Sequence, residues 1–306
     1  MSKISTAFKL LKSNRIGLLV SITENLYFLF PDKLYLQLLY RMKLGKKLDL
    51  KNPKRFSEKL QWLKLYNRKP EYTTMVDKYA VKGYVAKIVG EKYVIPTLGV
   101  WDNPEDIDWD SLPDQFVLKV THGGGGTGVV FCKNKHTFDR DVAIRKLKQS
   151  MKANIYGRLR EWPYKNVSKR VIAEKYMSEA DGQLRDYKFF CFDGVPKVML
   201  VASNRYTTHN FTYYDMSFNK LPIVSVAGKP SSEIMKAPCR FEEMKQVASM
   251  LSQGLPHVRV DLYTCYGKVY FGELTFFDSS GFDNMSSDYW DLKFGSWMIL
   301  PDHKII

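Results

Sequence analysis

Cysteine is scarce in this sequence, and the cysteines that it has stand far apart. Four occur among 306 residues, at Cys132, Cys191, Cys239 and Cys265, and no two of them form a CxxC pair. A structural zinc site or a disulfide framework depends on cysteines at short, regular spacings. The sequence therefore argues against both, and it is typical of a protein in the reducing cytoplasm.

Long apolar runs are missing as well. A helix that spans a membrane needs about 18 or more consecutive apolar residues, whereas the segment GLLVSITENLYFLF is interrupted by Glu24 and Asn25. The first 21 residues loosely resemble a signal peptide, but their apolar stretch is short and no small-residue cleavage site follows cleanly. We expect this segment to be retained, and the basic amphipathic region 1–50 to dock on the protein body or to lie at the cytoplasmic face of the inner membrane.

Acidic residues are few in the first third of the chain. Residues 1–92 contain 20 Lys and Arg against 7 Asp and Glu, within a chain whose formal charge is +15. Such a field favours an anionic partner, such as nucleic acid, anionic lipid or a polyanionic substrate. The alternative is that these lysines form the solvated face of ordinary helices. No recognised nucleic-acid-binding motif is present, so we do not expect nucleic acid as a partner.

Apolar periodicity and turn signals predict a mixture of helices and hairpins. Helices are predicted within residues 1–50, in NPKRFSEKLQWLKLYNRK, from Lys78 to about Val89, in TFDRDVAIRKLKQSMK and in FEEMKQVASMLSQGL. Strands are predicted in YVIPTLGVW, FVLKV, VVFCK and RVIAEKYM, followed by two hairpins that turn at 193–194 and 266–267. The fold class is therefore α+β (mixed α/β), with antiparallel sheet in the C-terminal half.

A run of four glycines lies in the segment FVLKVTHGGGGTG, at residues 116–128. Glycine lets backbone N–H groups approach an anion closely, and Lys119 lies on the strand that enters the loop. The segment lacks the GK[ST] of a Walker loop, and Gly128 leads into a strand instead of a helix. It is either a glycine flap over a phosphate or a plain mobile hairpin.

The second predicted hairpin, VRVDLYTCYGKVYFGELT, carries two carboxylates. A turn at 266–267 brings Asp261 and Glu273 nearly opposite each other, and Arg259 shares their face because strand side chains alternate. Two neighbouring carboxylates repel unless a cation lies between them, which suits Mg²⁺. An arginine at this place could bind phosphate. The alternative is a surface Arg–Asp–Glu ladder on an exposed sheet face.

In order, these segments resemble the ATP-grasp superfamily. MVDKYAVKGYV resembles the helix of its first nucleotide lysine, FVLKVTHGGGGTGVV the second lysine and glycine loop, VIAEKYM the strand before the adenine hinge, and RVDLYTCYGKVYFGELT the Mg²⁺ hairpin. From NPKRFSEKLQW to GELTFFDSSGF the chain looks like the TupA-like branch. That branch is named for a teichuronopeptide biosynthesis protein and is associated with bacterial capsule and cell-surface polysaccharide loci.

The resemblance implies an ATP-grasp fold, in which two α+β subdomains grip ATP, preceded by a helical basic region. We expect that region at 1–50, an N-terminal or linker subdomain at 51–115, a glycine-loop subdomain at 116–175, and a C-terminal subdomain with the metal hairpin at 176–306.

The resemblance also assigns the nucleotide contacts. Lys78 and Lys119 would contact the ATP phosphates, and Lys119 would also act in catalysis. His122 has no clear role in the family, and it either reaches a phosphate or simply packs. Asp186 is the candidate for the ribose. The glycine loop over the phosphates and the adenine hinge would comprise Gly123, Gly124, Gly125, Gly126 and Gly128, and Glu174, Lys175, Tyr176 and Met177.

For the metal, the resemblance implies that Asp261 and Glu273 hold Mg²⁺ and that Arg259 faces the transferred phosphoryl group. Many ATP-grasp ligases have Glu-x-Asn at the metal, whereas this chain has Glu273 and Thr275. A threonine hydroxyl is a weaker, neutral oxygen ligand, so the departure puts a second metal ion in question.

The implied reaction is an ATP- and Mg²⁺-dependent ligation of a carboxylate to an amine through an acylphosphate. An anionic glycan or uronate, together with an amine or amino acid, is the expected substrate pair. Two alternatives are a glycosyltransferase of polysaccharide biosynthesis and a non-enzymatic basic protein that binds nucleic acid.

Overall fold

The structure, a computed structural model, describes residues 15–124, 128–179, 184–203, 210–224, 231, 235–283 and 287–306. Its first element is a helix, α1, at residues 15–25. None of the helices in these ranges is long and apolar enough to cross a bilayer. The other helices are α2 Asp32–Leu44, α3 Phe56–Tyr66, α4 Glu71–Val76, α5 Ala80–Val89, α6 Arg140–Met151, α7 Ile155–Leu159, α8 Phe241–Ser252 and α9 Asp288–Trp297.

The smaller sheet has four strands in the order β1-β4-β2-β3, and every pair is antiparallel. Its strands are β1 Thr97–Trp101, β2 Phe116–Val120, β3 Val129–Cys132 and β4 Val171–Lys175. Alternate residues of β2, Phe116 and Leu118, are fully buried and pack with Leu147 of α6. β2 and β3 are the predicted strands on either side of the glycine loop. β1 joins this sheet although it falls in the predicted 51–115 segment.

The larger sheet has five strands in the order β7-β6-β5-β8-β9, also antiparallel throughout. Its two predicted hairpins turn at 193–194 and 266–267, where all four residues have positive φ, as two-residue hairpin turns require. With the helices above, the two sheets confirm the predicted α+β class. The strands are β5 Asp186–Phe192, β6 Val195–Ser203, β7 Asn210–Asp215, β8 Val258–Cys265 and β9 Lys268–Thr275.

Helix α3 joins two separate cores. Leu60 and Leu63 pack into the large core on the five-stranded sheet, whereas Leu65 packs with Tyr35 and Leu39 of α2. Leu63 and Leu65 enter different cores because residues two apart on a helix point about 200° from each other. The N-terminal helices are thus attached to the sheet that carries the carboxylate hairpin.

The segment around Lys78 differs from its prediction. The sequence favours a helix that starts at Lys78, but α4 ends at Val76 and α5 begins at Ala80, so Lys78 lies in the turn between them. Asp77 accepts from the N–H groups of Tyr79 and Ala80, at 2.8 and 3.1 Å, and so starts α5. The sequence patterns also did not predict α4, α7, β7 or α9.

Candidate nucleotide site

The β8–β9 hairpin brings the two predicted carboxylates together. Asp261 pairs with Glu273, and Arg259 pairs with Thr275. This register depends on a β-bulge between Asp261 and Leu262, because a regular ladder from the turn would set Asp261 opposite Gly272. A Cβ on Gly272 would lie 3.0 Å from Asp261 O, so the bulge needs glycine here. The extra residue turns Glu273 and Thr275 toward the face of Asp261.

Arg259 is the centre of the cluster on this face. Its Nε lies 2.7 Å from Asp261 Oδ1 and its Nη2 lies 2.8 Å from Asp261 Oδ2, which is a bidentate pair. Nη2 also donates to Thr275 Oγ1 at 3.0 Å, and Nη1 pairs with Asp278. The guanidinium is therefore fixed in one orientation, and Asp261 is fully buried beneath it.

Lys188, which the sequence analysis did not select, completes the cluster. It pairs in register with Asp261 across β5 and β8, contacts its carboxylate, and lies 2.6 Å from Asp186 Oδ2. The buried Asp186 thus lies beside the carboxylate hairpin, and its assignment to the ribose stays a prediction. The alternation in DYK shows that Asp186 and Lys188 share a face, but not that β5 adjoins β8.

Lys78 connects the carboxylate hairpin to the glycine loop. Its Nζ lies 2.6 Å from Gly123 O and 3.4 Å from Glu273 Oε2. Its backbone N–H donates to Thr121 O at 3.0 Å, which holds the α4–α5 turn against the end of β2. Burial alone would raise the pKa of Glu273, but Lys78, Lys188 and Arg259 hold this pKa well below its ordinary value. Glu273 is therefore anionic at neutral pH.

Lys119 lies in a second ionic cluster on the four-stranded sheet. Its Nζ is 2.5 Å from Glu174 Oε2, and Lys82 of α5 is 2.6 Å from the other carboxylate oxygen. Burial opposes ionisation of Glu174, yet Lys119 and Lys82 lower its pKa. The carboxylate predicted beside the hinge is thus the shared counterion of two lysines. Lys82, one helical turn after Lys78, was not predicted.

The first two predicted hinge residues, Glu174 and Lys175, are the last two residues of β4. The N–H of Lys175 donates to Pro96 O at 3.1 Å, so this N–H group is already hydrogen-bonded to the residue before β1. Met177 is half-buried. Lys175 and Tyr176 line an open cleft of about 660 Å³, together with Leu98, Pro113 and His136 among others. The described candidates Lys78, Lys119 and His122 are not among the residues that line this cleft.

The two ends of the glycine loop lie directly after β2 and before β3. Gly123 N–H donates to Val120 O at 3.3 Å, and Gly128 has a φ of +73°. His122 is buried, and this burial, with Lys169 and Lys78 nearby, lowers its pKa to about 4. Its imidazole is therefore neutral at pH 7. Gly124 is described as well, whereas Gly125 and Gly126 lie outside the described residues.

A layer of buried polar side chains lies beneath Asp278. Lys64 donates from Nζ to Leu159 O at 2.8 Å, to Ser280 O at 2.8 Å and to Ser280 Oγ at 2.7 Å. Ser279 and Ser280 both have positive φ, of 47° and 54°, which is uncommon for serine. Lys64 of α3 therefore holds the segment that presents Asp278 to Arg259. In the sequence, only the family-like segment GELTFFDSSGF, which contains Asp278 and Ser280, pointed to this layer.

The oxygen donors of the hairpin suit a hard divalent cation. Glu273 is the more accessible carboxylate, with 34% of its side chain exposed, and Thr275 Oγ1 lies 3.2 Å from its Oε1. Both oxygens of Asp261 contact cationic side chains. Across the described part of the chain, no group of three or more His, Cys, Asp or Glu is arranged to hold a metal. Glu273 and Thr275 are the hairpin residues whose oxygen atoms could serve a single Mg²⁺ ion.

A family model described as TupA-like ATPgrasp matches residues 58–299, which is most of the chain. No curated protein matches it. D-alanine–D-alanine ligase from Bacillus anthracis is 18% identical, with a TM-score of 0.40, over 66% of this chain and 57% of that protein. The chain thus spans a little more than half of that structure.

Two further solved structures show a similar partial likeness. D-alanine–D-alanine ligase from Helicobacter pylori is 14% identical, with a TM-score of 0.43, over 80% of this chain and 69% of that chain. D-cycloserine synthetase DcsG is 18% identical, with a TM-score of 0.39, over 73% and 69% respectively. At these identities the likeness concerns the fold alone.

Proposed function

Because the chain belongs to the TupA-like ATP-grasp family, we propose that it is an ATP-dependent carboxylate–amine ligase that works through an acylphosphate. The carboxylate that we propose is a uronate of a bacterial capsular or cell-surface polysaccharide. The amine that we propose is an amino acid or a related compound.

One observation carries the proposal. Lys78 Nζ contacts both Gly123 O of the glycine loop, at 2.6 Å, and Glu273 of the carboxylate hairpin, at 3.4 Å. A single ammonium group thereby joins the segment suited to covering phosphates and the segment suited to holding their cation. This combination fits a nucleoside triphosphate better than any uncharged ligand.

In the first chemical step, a carboxylate oxygen of the substrate forms a bond to the γ-phosphorus of ATP, and the bond to ADP breaks. Lys78, Lys119 and Lys188 would neutralise the phosphates, and Mg²⁺ held at Glu273 would supply further positive charge. Arg259 would bind the phosphoryl group as it transfers. Positioning and charge stabilisation suffice for this kind of transfer, so no protein nucleophile is needed.

In the second step, the amine nitrogen attacks the acyl carbon, inorganic phosphate leaves, and the nitrogen loses a proton to give an amide. Protonated lysines and an arginine favour the departure of phosphate for the same electrostatic reason. The choice of uronate as acceptor is supported by the family's association with polysaccharide loci. The excess of Lys and Arg in residues 1–92 also suits an anionic glycan.

The test is a product assay on the purified chain. ATP, a uronate-containing glycan and an amino acid together should yield ADP and inorganic phosphate. Omission of the glycan or of the amino acid should suppress the release of both products. Lys119→Ala and Glu273→Ala should each lose Mg·ATP binding, whereas Lys87→Ala, an exposed lysine of α5, should keep it. Normal binding in both site variants, or release of UDP from a UDP-sugar instead, would overturn the proposal.

A further inference from the structure

The N-terminal helices expose an unusual number of large apolar side chains. In α1, Leu18 is 62% exposed, and Ile22 lies one turn further on the same side. In the connection to α2, Phe28 is 67% and Leu29 is 61% exposed. Together with Leu34 and Leu38 of α2, these side chains form what we call the apolar surface: Leu18, Ile22, Phe28, Leu29, Leu34 and Leu38.

The apolar surface lies on helices that are already anchored by their other faces. In α2, Tyr35 and Leu39 are fully buried, whereas Leu34 and Leu38 on the outer side are exposed. Val20 of α1 packs against that same α2 core, and Glu24 forms an ion pair with Lys43 at 2.8 Å. Exposure of Leu18 and Leu34 is therefore not a sign of an unpacked segment. Apolar surfaces of this extent usually mark an interaction site.

The described N-terminal segment is rich in positive charge. Residues 15–47 contain six Lys and Arg but only two acids, Glu24 and Asp32. Asp32 is neutralised by Arg68, at 2.5 Å, and Arg160, at 2.8 Å. Glu24 is neutralised by Lys43 and by Arg158, at 3.0 Å. Both acids thus point toward the protein body, and neither offsets the outer cations.

Exposed cations stand beside the apolar side chains. Arg15 precedes Leu18 by one helical turn, Lys33 is adjacent to Leu34, and Arg41 follows Leu38 by one turn of α2. Long basic side chains at such positions can extend past an apolar layer while their charged ends stay in water. Anionic lipid head groups provide the matching negative charge, and acyl chains provide the matching apolar layer.

We propose that the apolar surface and its flanking cations dock this protein on an anionic lipid bilayer, with α1 and α2 lying along the interface. The inference does not depend on the reaction that the enzyme catalyses. Insertion of Leu18, Phe28 and Leu29 supplies the apolar contact, and Arg15, Lys33 and Arg41 select anionic head groups.

A series of hydrogen bonds connects the backbone beside the apolar surface to the candidate site. Arg160 donates to Tyr27 O at 2.7 Å and to Phe30 O at 3.0 Å, directly beside Phe28 and Leu29. The neighbouring Leu159 O accepts from Lys64, which in turn holds Ser280. Three contacts, Arg160 to Tyr27 O, Lys64 to Leu159 O and Lys64 to Ser280 O, thus connect this face to the segment that carries Asp278.

The experiment is co-sedimentation of the full chain with vesicles. Phosphatidylcholine vesicles that contain phosphatidylglycerol should bind the protein, pure phosphatidylcholine should bind it at least about tenfold less, and high salt should weaken the binding. Leu18→Glu and Phe28→Glu should each reduce binding about tenfold or more, because a carboxylate enters the apolar layer. Arg41→Glu should reduce binding only to the anionic vesicles.

Ile299→Glu is the matched control, since Ile299 is 77% exposed but lies near the C-terminus. It should leave vesicle binding unchanged. Hydrogen exchange of the unmodified chain gives a second measurement, and vesicles should protect residues 15–29. Absence of binding, or binding that Leu18→Glu and Phe28→Glu leave intact, overturns the proposal. A dimer that these variants dissociate, without vesicle binding, overturns it in favour of a second copy of the chain. ATP binding measured in parallel tests the proposed function separately.

Discussion

Lys119 Nζ lies 2.5 Å from Glu174 Oε2, across the ladder that joins β2 and β4. The carboxylate is buried, and Lys82 holds its second oxygen. The lysine predicted to contact ATP is therefore fixed in place by its own counterion. A site that orders its lysine beforehand avoids part of the side-chain entropy cost of binding.

Replacement of Lys119 by methionine should weaken ATP binding. The variant keeps most of the side-chain volume but loses one charge-assisted contact, which typically contributes about 1.5–3 kcal/mol. We expect the Kd for ATP, measured by calorimetry, to rise about tenfold to a hundredfold. Lys119→Arg should recover part of the affinity.

The matched comparison uses two positions on α5. Lys82→Met removes the other counterion of Glu174 and should lower the free energy of unfolding by about 2 kcal/mol, because Lys119 still neutralises the carboxylate. Lys87→Met, at an exposed position on the same helix, should change neither stability nor affinity. Equal behaviour of the Lys82 and Lys87 variants would contradict the role of Lys82.

Gly128 should tolerate no side chain. Its φ is +73°, and a Cβ there would lie 2.6 Å from Val120 Cγ2 and 2.9 Å from Ser150 Cβ. Gly128→Ala should therefore combine the conformational cost, about 1 kcal/mol, with an overpacking cost of about 1–3 kcal/mol. Urea denaturation measures the loss in stability. Gly45→Ala is the control, since Gly45 has a φ of +70° but open space around it. It should show the conformational cost only.

Lys64 should act on the reaction through Ser280 and Asp278. Lys64→Met removes the donor from Leu159 O and Ser280 Oγ and leaves Ser280 O with the bond from Gln61 Nε2, so the segment that carries Asp278 should loosen. We expect a loss of about 3 kcal/mol in stability, and a kcat that falls by more than the ATP affinity. Lys59→Met is the comparison on the same helix, since Lys59 donates only to Gly295 O and Met298 O, at 2.8 and 2.6 Å. It should lower stability without a selective effect on kcat.

Stability should fall in mild acid because of His257. Its ring is buried among aromatic side chains, and Nδ1 lies 2.9 Å from Cys191 O. Burial lowers the pKa of His257 to about 3, whereas an unfolded histidine has a pKa of about 6.5. Between these values the unfolded chain binds a proton that the folded chain does not. Stability therefore decreases as pH falls through this window, by at most about 1.4 kcal/mol per pH unit from this group.

Urea denaturation over the same pH range tests this dependence. His257→Phe should reduce the acid slope, since phenylalanine fits the aromatic surroundings and does not titrate. His303→Phe, at an exposed position, should leave the slope unchanged. An identical slope in the chain with His257→Phe would assign the acid sensitivity to other groups.

The carboxylate hairpin shows how far the sequence could predict the site. The Tyr266–Gly267 turn identifies the two strands and brings Asp261 close to Glu273. The turn alone would nevertheless direct Glu273 to the wrong face. The buried apolar residues of β9 are Val269, Phe271 and Leu274, so the alternation changes phase at Gly272. This phase change is the sequence signal of the bulge.

Other parts of the site depend on contacts between distant segments. Lys188 gains its role because β5 pairs with β8, and Lys64 because α3 packs near Ser280. Neither contact follows from periodicity, since strand order and helix docking depend on the whole core. Leu65 is a helical example. The apolar pattern of α3 does not reveal that Leu65 packs on α2, because that contact depends on how the two helices dock.

The ion pairs of the site imply a coupling between its ligands. Lys78 and Arg259 serve as counterions of Glu273, so an incoming polyphosphate competes with that carboxylate for them. A polyphosphate that draws Lys78 away leaves Glu273 more negative and thereby raises its affinity for a divalent cation. By thermodynamic linkage, the cation must strengthen polyphosphate binding by the same factor. If the hairpin binds both ligands as proposed, each should therefore bind better in the presence of the other.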